Sequence, residues 1–214
     1  MTLTPVDQLS TALGAAGELI AGITPEQWSG PTPCTDWDVR ALVTHLSEGN
    51  HRFATALGDD GSAPSPDRGR SGDLVTAYRD SAEAVVAAFR RPGALERTVE
   101  VPFGTVPGAV ALHLRLTEVL VHGCDLAQAT GQVVAFDEDL AEQELAFTRR
   151  ALGALPPGRS PFAPPTPAPD TAPALDRLAA CLGRRLPAPA EGPMRDDVSG
   201  PPRTGRLPAD SEEG

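Results

Sequence analysis

Glu118 and His122 stand four residues apart in the stretch Glu118-Val-Leu-Val-His122-Gly-Cys-Asp125, and a lone His45 lies far upstream. On an α-helix this spacing puts two side chains on one face, about one turn apart. A carboxylate and an imidazole so placed can chelate a divalent metal, and a histidine from another helix would make three protein ligands. Three ligands leave one position open, which is the pattern of a catalytic site rather than a structural one.

At ~100° per residue, Glu118, His122 and Asp125 fall within roughly 60° of one another, and Arg115 joins the stripe. A solvated polar face would produce the same line of residues. The rest of the segment weighs against that. Leu112, Leu114, Leu116, Val119, Leu120, Val121 and Leu126 cover nearly every other direction. A helix apolar almost all round is usually buried, and a buried Glu and His need partners. His45 sits in Leu42-Val-Thr-His45-Leu-Ser-Glu48, on the shoulder of an apolar face, where a hydrogen-bonded core histidine is the alternative to a ligand. His51 and His113 point elsewhere and are expected at the surface or behind the site. Cys124, two residues after His122, points away from the metal face. Cys34 precedes a helix start, where a thiol pKa can be depressed, although a small packing residue suits the position as well. Cys181, Trp28 and Trp37 are expected to pack.

These residues need helices to position them, and the hydrophobic rhythm supplies five. The first runs Pro5 to Ile23, and Thr24-Pro25-Glu26 then starts a short turn of helix that ends near Ser29-Gly30. Pro31-Thr-Pro33 is an extended spacer. Thr35-Asp36-Trp37-Asp38 reads as an N-cap with Asp38 in place of the usual Glu of a capping box, starting a helix over Asp36 to Leu57. Residues 58–70 are a mobile loop, and a third helix spans about Asp73 to Arg90. Alternation between Arg97 and Val106 predicts one short strand or a hairpin. The fourth helix starts near Pro107, with proline in its first turn, and stops at Thr130-Gly131. The fifth covers about Glu138 to Leu152. Of the 23 prolines, 14 lie at or after Pro156, so the chain changes character there. The expected layout is a helix bundle over 1–155, a proline-rich segment with a short docking helix (Ala174 to Leu182) over 156–186, and a disordered tail over 187–214.

The bulk numbers narrow the function. A chain of 214 residues holds one sizeable core. A net charge of -11 argues against a nucleic-acid binder and against anionic membranes. No apolar run is long enough to span a bilayer, and the N-terminus lacks the pattern of a secretory signal. Three widely spaced cysteines form no disulfide framework and are expected as reduced thiols in a cytoplasmic protein. The expected partner is a small molecule, with the chain a monomer or homodimer.

Pro31-Thr-Pro-Cys-Thr-Asp-Trp-Asp-Val-Arg-Ala-Leu-Val-Thr-His45-Leu and Glu118-Val-Leu-Val-His122-Gly-Cys-Asp-Leu-Ala-Gln-Ala-Thr-Gly131 closely resemble the DinB-like metalloproteins. More narrowly, they resemble the metal-binding N-terminal domain of mycothiol-dependent maleylpyruvate isomerase. Ser160-Pro-Phe-Ala-Pro-Pro and Ala174-Leu-Asp-Arg-Leu-Ala-Ala-Cys-Leu-Gly-Arg are similar to a stand-alone actinobacterial branch of that superfamily. The similarity spans about residues 5–185. It implies an all-α, up-down four-helix bundle with one short β excursion. It also implies His45, Glu118 and His122 as ligands of a divalent metal, most simply zinc, with Asp125 orienting a ligand or substrate. Cys124 stands where the family often has an aromatic residue, and the isomerase's C-terminal domain has no expected counterpart here. The implied activity is a metal-dependent transferase using mycothiol or a similar thiol on a small electrophile, with Asp125 and Arg115 assisting. Arg115 would pair with a substrate carboxylate or with Asp125, or lie at the surface. A metal-dependent hydrolase and a non-catalytic small-molecule or metal binder are the alternatives on the same fold.

Overall fold

Side-chain caps set where most of the helices begin. The computed structural model describes residues 3–58, 73–101, 104–154 and 162–185. Helix α1 (Pro5–Ala21) follows Thr4, whose hydroxyl accepts the Asp7 backbone N–H at 3.2 Å. Helix α2 (Val39–Ala56) follows Asp38, α3 (Leu74–Phe89) follows Asp73 and α5 (Glu138–Gly153) follows Asp137, each aspartate accepting a first-turn N–H. Such a cap satisfies a donor that has no partner inside the helix and contributes about 1 kcal/mol.

The start of α2 departs from expectation. Asp38 is itself the cap, accepting the Ala41 N–H at 2.7 Å, so the helix begins at Val39 rather than Asp36. The cause is local. The Thr32 hydroxyl reaches the carbonyl oxygens of Cys34 at 3.1 Å and Trp37 at 2.8 Å, and Pro31 bridges to Asp38. Residues 31–38 therefore close as a loop that belongs to the site below.

The β excursion is a hairpin of β1 (Thr98–Val101) and antiparallel β2 (Gly104–Pro107), with Thr98 opposite Pro107. Helix α4 (Gly108–Thr130) follows directly, so Pro107 stands just outside the first turn. Gly131, at φ 67°, ends α4 in the left-handed conformation that glycine adopts without steric cost.

Helices α1 to α4 form the bundle, with α2 against α3 and α4, and α1 against the same two. Leu9, Ile20, Leu42, Leu46, Leu116 and Leu120 have no exposure at all. Each such side chain contributes about 1.5–3 kcal/mol relative to an exposed one. Helix α4 is the central element, since 15 of its 23 residues are buried. The short helix α6 (Ala174–Cys181) packs on α5 and α4 through the fully buried Leu178. The Glu138 carboxylate accepts the Ala174 N–H at 2.7 Å and so anchors the start of α6. Residues 162–173, as their prolines require, contain no helix.

Of the expected mobile loop, residues 59–70 lie outside the described residues, as do 155–161 and the whole expected tail, 187–214. Among the described residues no helix is long and apolar enough to cross a membrane.

Candidate metal centre

The central position of α4 forces its polar stripe to find partners indoors. Arg115 is 0% exposed, Asp125 2% and His122 8%. Arg115 gives Nη1 to Glu118 Oε2 at 2.8 Å, Nε to Asn50 Oδ1 at 2.9 Å and Nη2 to the Leu46 carbonyl at 2.8 Å. Asn50 in turn donates to Ser81 on α3 at 3.0 Å. The guanidinium is thus fully used inside the bundle, between α4 and α2. This corrects two expectations for Arg115: it is neither a surface residue nor a partner of Asp125. Its role is to hold the Glu118 carboxylate. Gly49 leaves room for it, because a Cβ there would lie 2.4 Å from Arg115 Nη1.

His122 uses one ring nitrogen on Asp125. Its Nδ1 is 3.0 Å from Asp125 Oδ2. An ionised carboxylate only accepts, so Nδ1 carries the hydrogen and, in the neutral ring, Nε2 keeps the free lone pair. Asp125 is ionised. Burial opposes its charge, but hydrogen bonds from His122 and Arg184 outweigh that and hold its pKa below the ordinary carboxylate value.

His45 reaches the same place from α2. Its ring lies 5.1 Å from that of His122, edge to face at 81°. Trp37 packs against it at 4.4 Å between centroids. Burial first, then the neighbouring His122, pushes the His45 imidazole down to about 4, so it is a neutral nitrogen donor at pH 7. His45, Glu118 and His122 all line one cavity of about 1050 Å³. The three line one cavity, with Asp125 behind His122, but among the described residues the donor atoms that come within 4.8 Å of one another are those of Cys34, His122 and Asp125, not those of this set.

A second donor group overlaps it. Cys34 Sγ, a His122 ring nitrogen and an Asp125 oxygen all lie within 4.8 Å of one another, a possible metal-binding triad. Cys34 donates to Asp125 Oδ2 at 3.3 Å and lies 4.0 Å from His122 Nδ1. Burial and the Asp125 charge push the Cys34 thiol up to about 12, so it stays protonated. Arg184, from the segment after α6, completes the corner. Its Nη2 is 3.1 Å from Asp125 Oδ2 and 3.3 Å from Cys34 Sγ. Hydrogen bonds to Asp125 outweigh the burial of Arg184 and raise its pKa above the usual guanidinium value.

The sequence reading does not contain Arg184 and expects Trp37 only to pack; for Cys34 it offers a thiol of depressed pKa or a packing residue, and burial beside Asp125 overturns the first. The signal for Arg184 was its place two residues after Leu182, the last leucine of the docking helix. Among the remaining expectations, His113 gives Nδ1 to the fully buried Glu144 at 2.7 Å, behind the cavity wall. His51 is half-buried with no hydrogen-bond partner for its Nδ1, and it does not line the cavity. Neither does Cys124, whose thiol burial pushes up to about 12.

With this geometry in hand, known proteins place the chain. Residues 9–127 match the family described as mycothiol maleylpyruvate isomerase N-terminal domain. Two proteins from separate strains of Mycobacterium tuberculosis, both named uncharacterized, are 38% identical over 177 residues, covering 82% of this chain and 94% of theirs. Crystal structures of the mycothiol-dependent maleylpyruvate isomerase, one of them a histidine-to-alanine mutant, superpose with TM-scores of 0.54 and 0.52 at 16% identity. The match covers 66% of this chain and 66% of the isomerase, so at that identity it establishes the shared fold alone.

Proposed function

This chain belongs to the mycothiol maleylpyruvate isomerase N-terminal domain family, and on that premise we propose that it is a metal-dependent enzyme using a low-molecular-weight thiol, of the mycothiol type, against an electrophilic substrate held in the cavity. The observation that carries this is the division of labour on His122. Nδ1 is occupied by Asp125, while Nε2 remains for a cation in the cavity that His45 and Glu118 also line. A carboxylate behind a histidine ligand fixes the tautomer and raises the basicity of the donating nitrogen. Two imidazoles and a carboxylate suit zinc, and also other divalent first-row metals.

Cys34, His122 and Asp125 are the less favourable cage. Asp125 and Cys34 already receive the guanidinium of Arg184, and a cation set between them would meet that positive charge at close range. His122 would also have to give up its hydrogen on Nδ1. We therefore assign His45, Glu118 and His122 as the ligands. Asp125 is the group that orients His122, and Arg115 is the group that orients Glu118.

When bound, the ion supplies Lewis acidity that lowers the pKa of a thiol toward neutrality. The chain does the rest. Trp37 packs on His45 and limits its rotation, and Arg184 neutralises Asp125 at the cavity edge. Burial and the Asp125 charge keep Cys34 a thiol in the metal-free protein, which supports a nucleophile that arrives as a co-substrate.

The test is elemental analysis of protein purified without added metal, followed by a screen of thiol-plus-electrophile pairs. About one ion per chain, with thiol-dependent consumption of the electrophile that a chelator abolishes, is the expected result. Turnover without thiol would replace the reading with metal-dependent hydrolysis. Absence of bound metal would overturn it.

A further inference from the structure

The cavity is too large and too apolar for a small polar electrophile alone. At about 1050 Å³ it stands at the upper end of ordinary small-molecule sites. Among the described residues its charged groups come from three places: Asp36 in the loop before α2, Glu118, and Arg184 after α6. Away from these, the cavity is lined by Val110 and Leu114 on α4 and by Phe147 on α5, whose ring stacks on that of His113 at 4.8 Å. From His122 back to Val110 the helix rises ~18 Å. The two threonines in this wall do not make it polar. Thr117 donates to the buried Glu144 at 3.2 Å, and the Thr148 hydroxyl lies 3.4 Å from that of Thr117, so both are used within the protein.

We infer that the substrate is amphipathic, with its reactive polar head at the His45, Glu118 and His122 end and an alkyl or acyl tail along Val110, Leu114 and Phe147. The inference rests on the functional reading above for the head, and on the cavity wall alone for the tail. Charge complementarity supports the orientation, since among the described residues the charged lining groups Asp36, Glu118 and Arg184 gather at the histidine end and Val110, Leu114 and Phe147 carry none. Residues 187–214 of the chain itself are an unsuitable occupant, being acidic, proline-rich and without apolar periodicity. No covalent step is needed for the tail to bind. Its contribution is apolar burial, which scales with length.

Straight-chain carboxylates from butanoate to dodecanoate, titrated calorimetrically into the full chain with and without zinc, provide the test. Affinity for the zinc-loaded protein should rise about fourfold per added methylene until the cavity is filled, and then level off. Val110→Trp, at a half-buried position that lines the cavity, should weaken the longest probes by about tenfold or more and leave butanoate unchanged. Leu114→Asn gives the same contrast by polarity instead of bulk, and a thermal melt of each variant separates a blocked tail from a lost fold. Affinity independent of chain length, as for a cavity filled by the chain's own end, would overturn the inference. Zinc binding without length dependence would sink the tail alone. Length dependence in a protein that binds no zinc would sink the enzyme reading and leave the tail standing.

Discussion

His122 and His113 sit on the same helix and are held in the same way. Each has Nδ1 against a carboxylate that is almost wholly buried, at 3.0 Å from Asp125 and 2.7 Å from Glu144. Their surroundings differ. Around His122 lie a second imidazole, the Glu118 carboxylate and an open cavity. Around His113 lie the face of Phe147, stacked at 4.8 Å, and solvent, to which the side chain is 25% exposed. The carboxylates are neutralised differently too. Asp125 meets a full guanidinium charge from Arg184, whereas Glu144 is satisfied by His113, Gln143 and the Thr117 hydroxyl. A histidine–carboxylate pair is thus a general way to bury an acid. It becomes a candidate metal centre only when further donors gather around the other ring nitrogen.

The largest expected effect tests that distinction directly. His122→Ala removes a proposed ligand and should lower zinc affinity by more than the roughly hundredfold typical of losing a supporting group. His113→Ala should leave zinc affinity within about twofold, because none of its contacts reaches the cavity donors. Competition against a chromogenic chelator measures both. Equal losses would mean that the two histidines do not differ in kind.

The carboxylates give the next contrast. Asp125→Asn keeps the shape but weakens the acceptor behind His122, so zinc affinity should fall about ten- to hundredfold. Glu144→Gln should leave zinc affinity unchanged and cost about 1–3 kcal/mol of folding stability through an imperfectly satisfied buried site. Urea titration of the metal-free proteins, beside the chelator assay, separates the two outcomes. A Glu144→Gln variant that loses zinc would join the two regions into one site.

Why one histidine was legible in the sequence and its setting was not follows from distance along the chain. Helical periodicity marked α1 to α6 within a few residues, because each is set by side chains a few positions apart. The i,i+4 pair Glu118 and His122 was legible for the same reason. His45, as a lone histidine on the shoulder of an apolar helix face, was legible as a candidate third ligand, and the resemblance to known proteins strengthened it. Arg184 reaches Asp125 across 59 residues and Cys34 across 150, a meeting that only the packing of α6 creates. Arg115 was misread for a related reason. Spacing put it on the stripe with Asp125, but the absence of a side chain at Gly49 opens space on the α2 side, where Asn50 and the Leu46 carbonyl receive it. The early start assigned to α2 came from counting capping residues without the Thr32 hydrogen bonds that close the loop.

The smallest expected effect concerns the cost of keeping the donor set neutral. Burial, then the neighbouring His122, depresses the His45 pKa from 6.5 to about 4, with Glu118 only partly opposing. Between those values the unfolded chain binds a proton at this position and the folded chain does not. Stability of the metal-free protein is therefore fully present above about pH 6.5 and is lost progressively as pH falls toward 4. His45→Gln removes the titrating group, so its stability curve should be flatter than wild type over that window. The measurement is the urea midpoint at pH 7.5, 6.5, 5.5 and 5, the lower limit chosen so that most carboxylates stay ionised. The comparison with α4 sharpens here, because His45 has neither an aspartate nor a glutamate on a ring nitrogen, in contrast to both His122 and His113. If wild type and His45→Gln lose stability in parallel, His45 is not held neutral by its surroundings, and its suitability as a ready metal donor loses its physical basis.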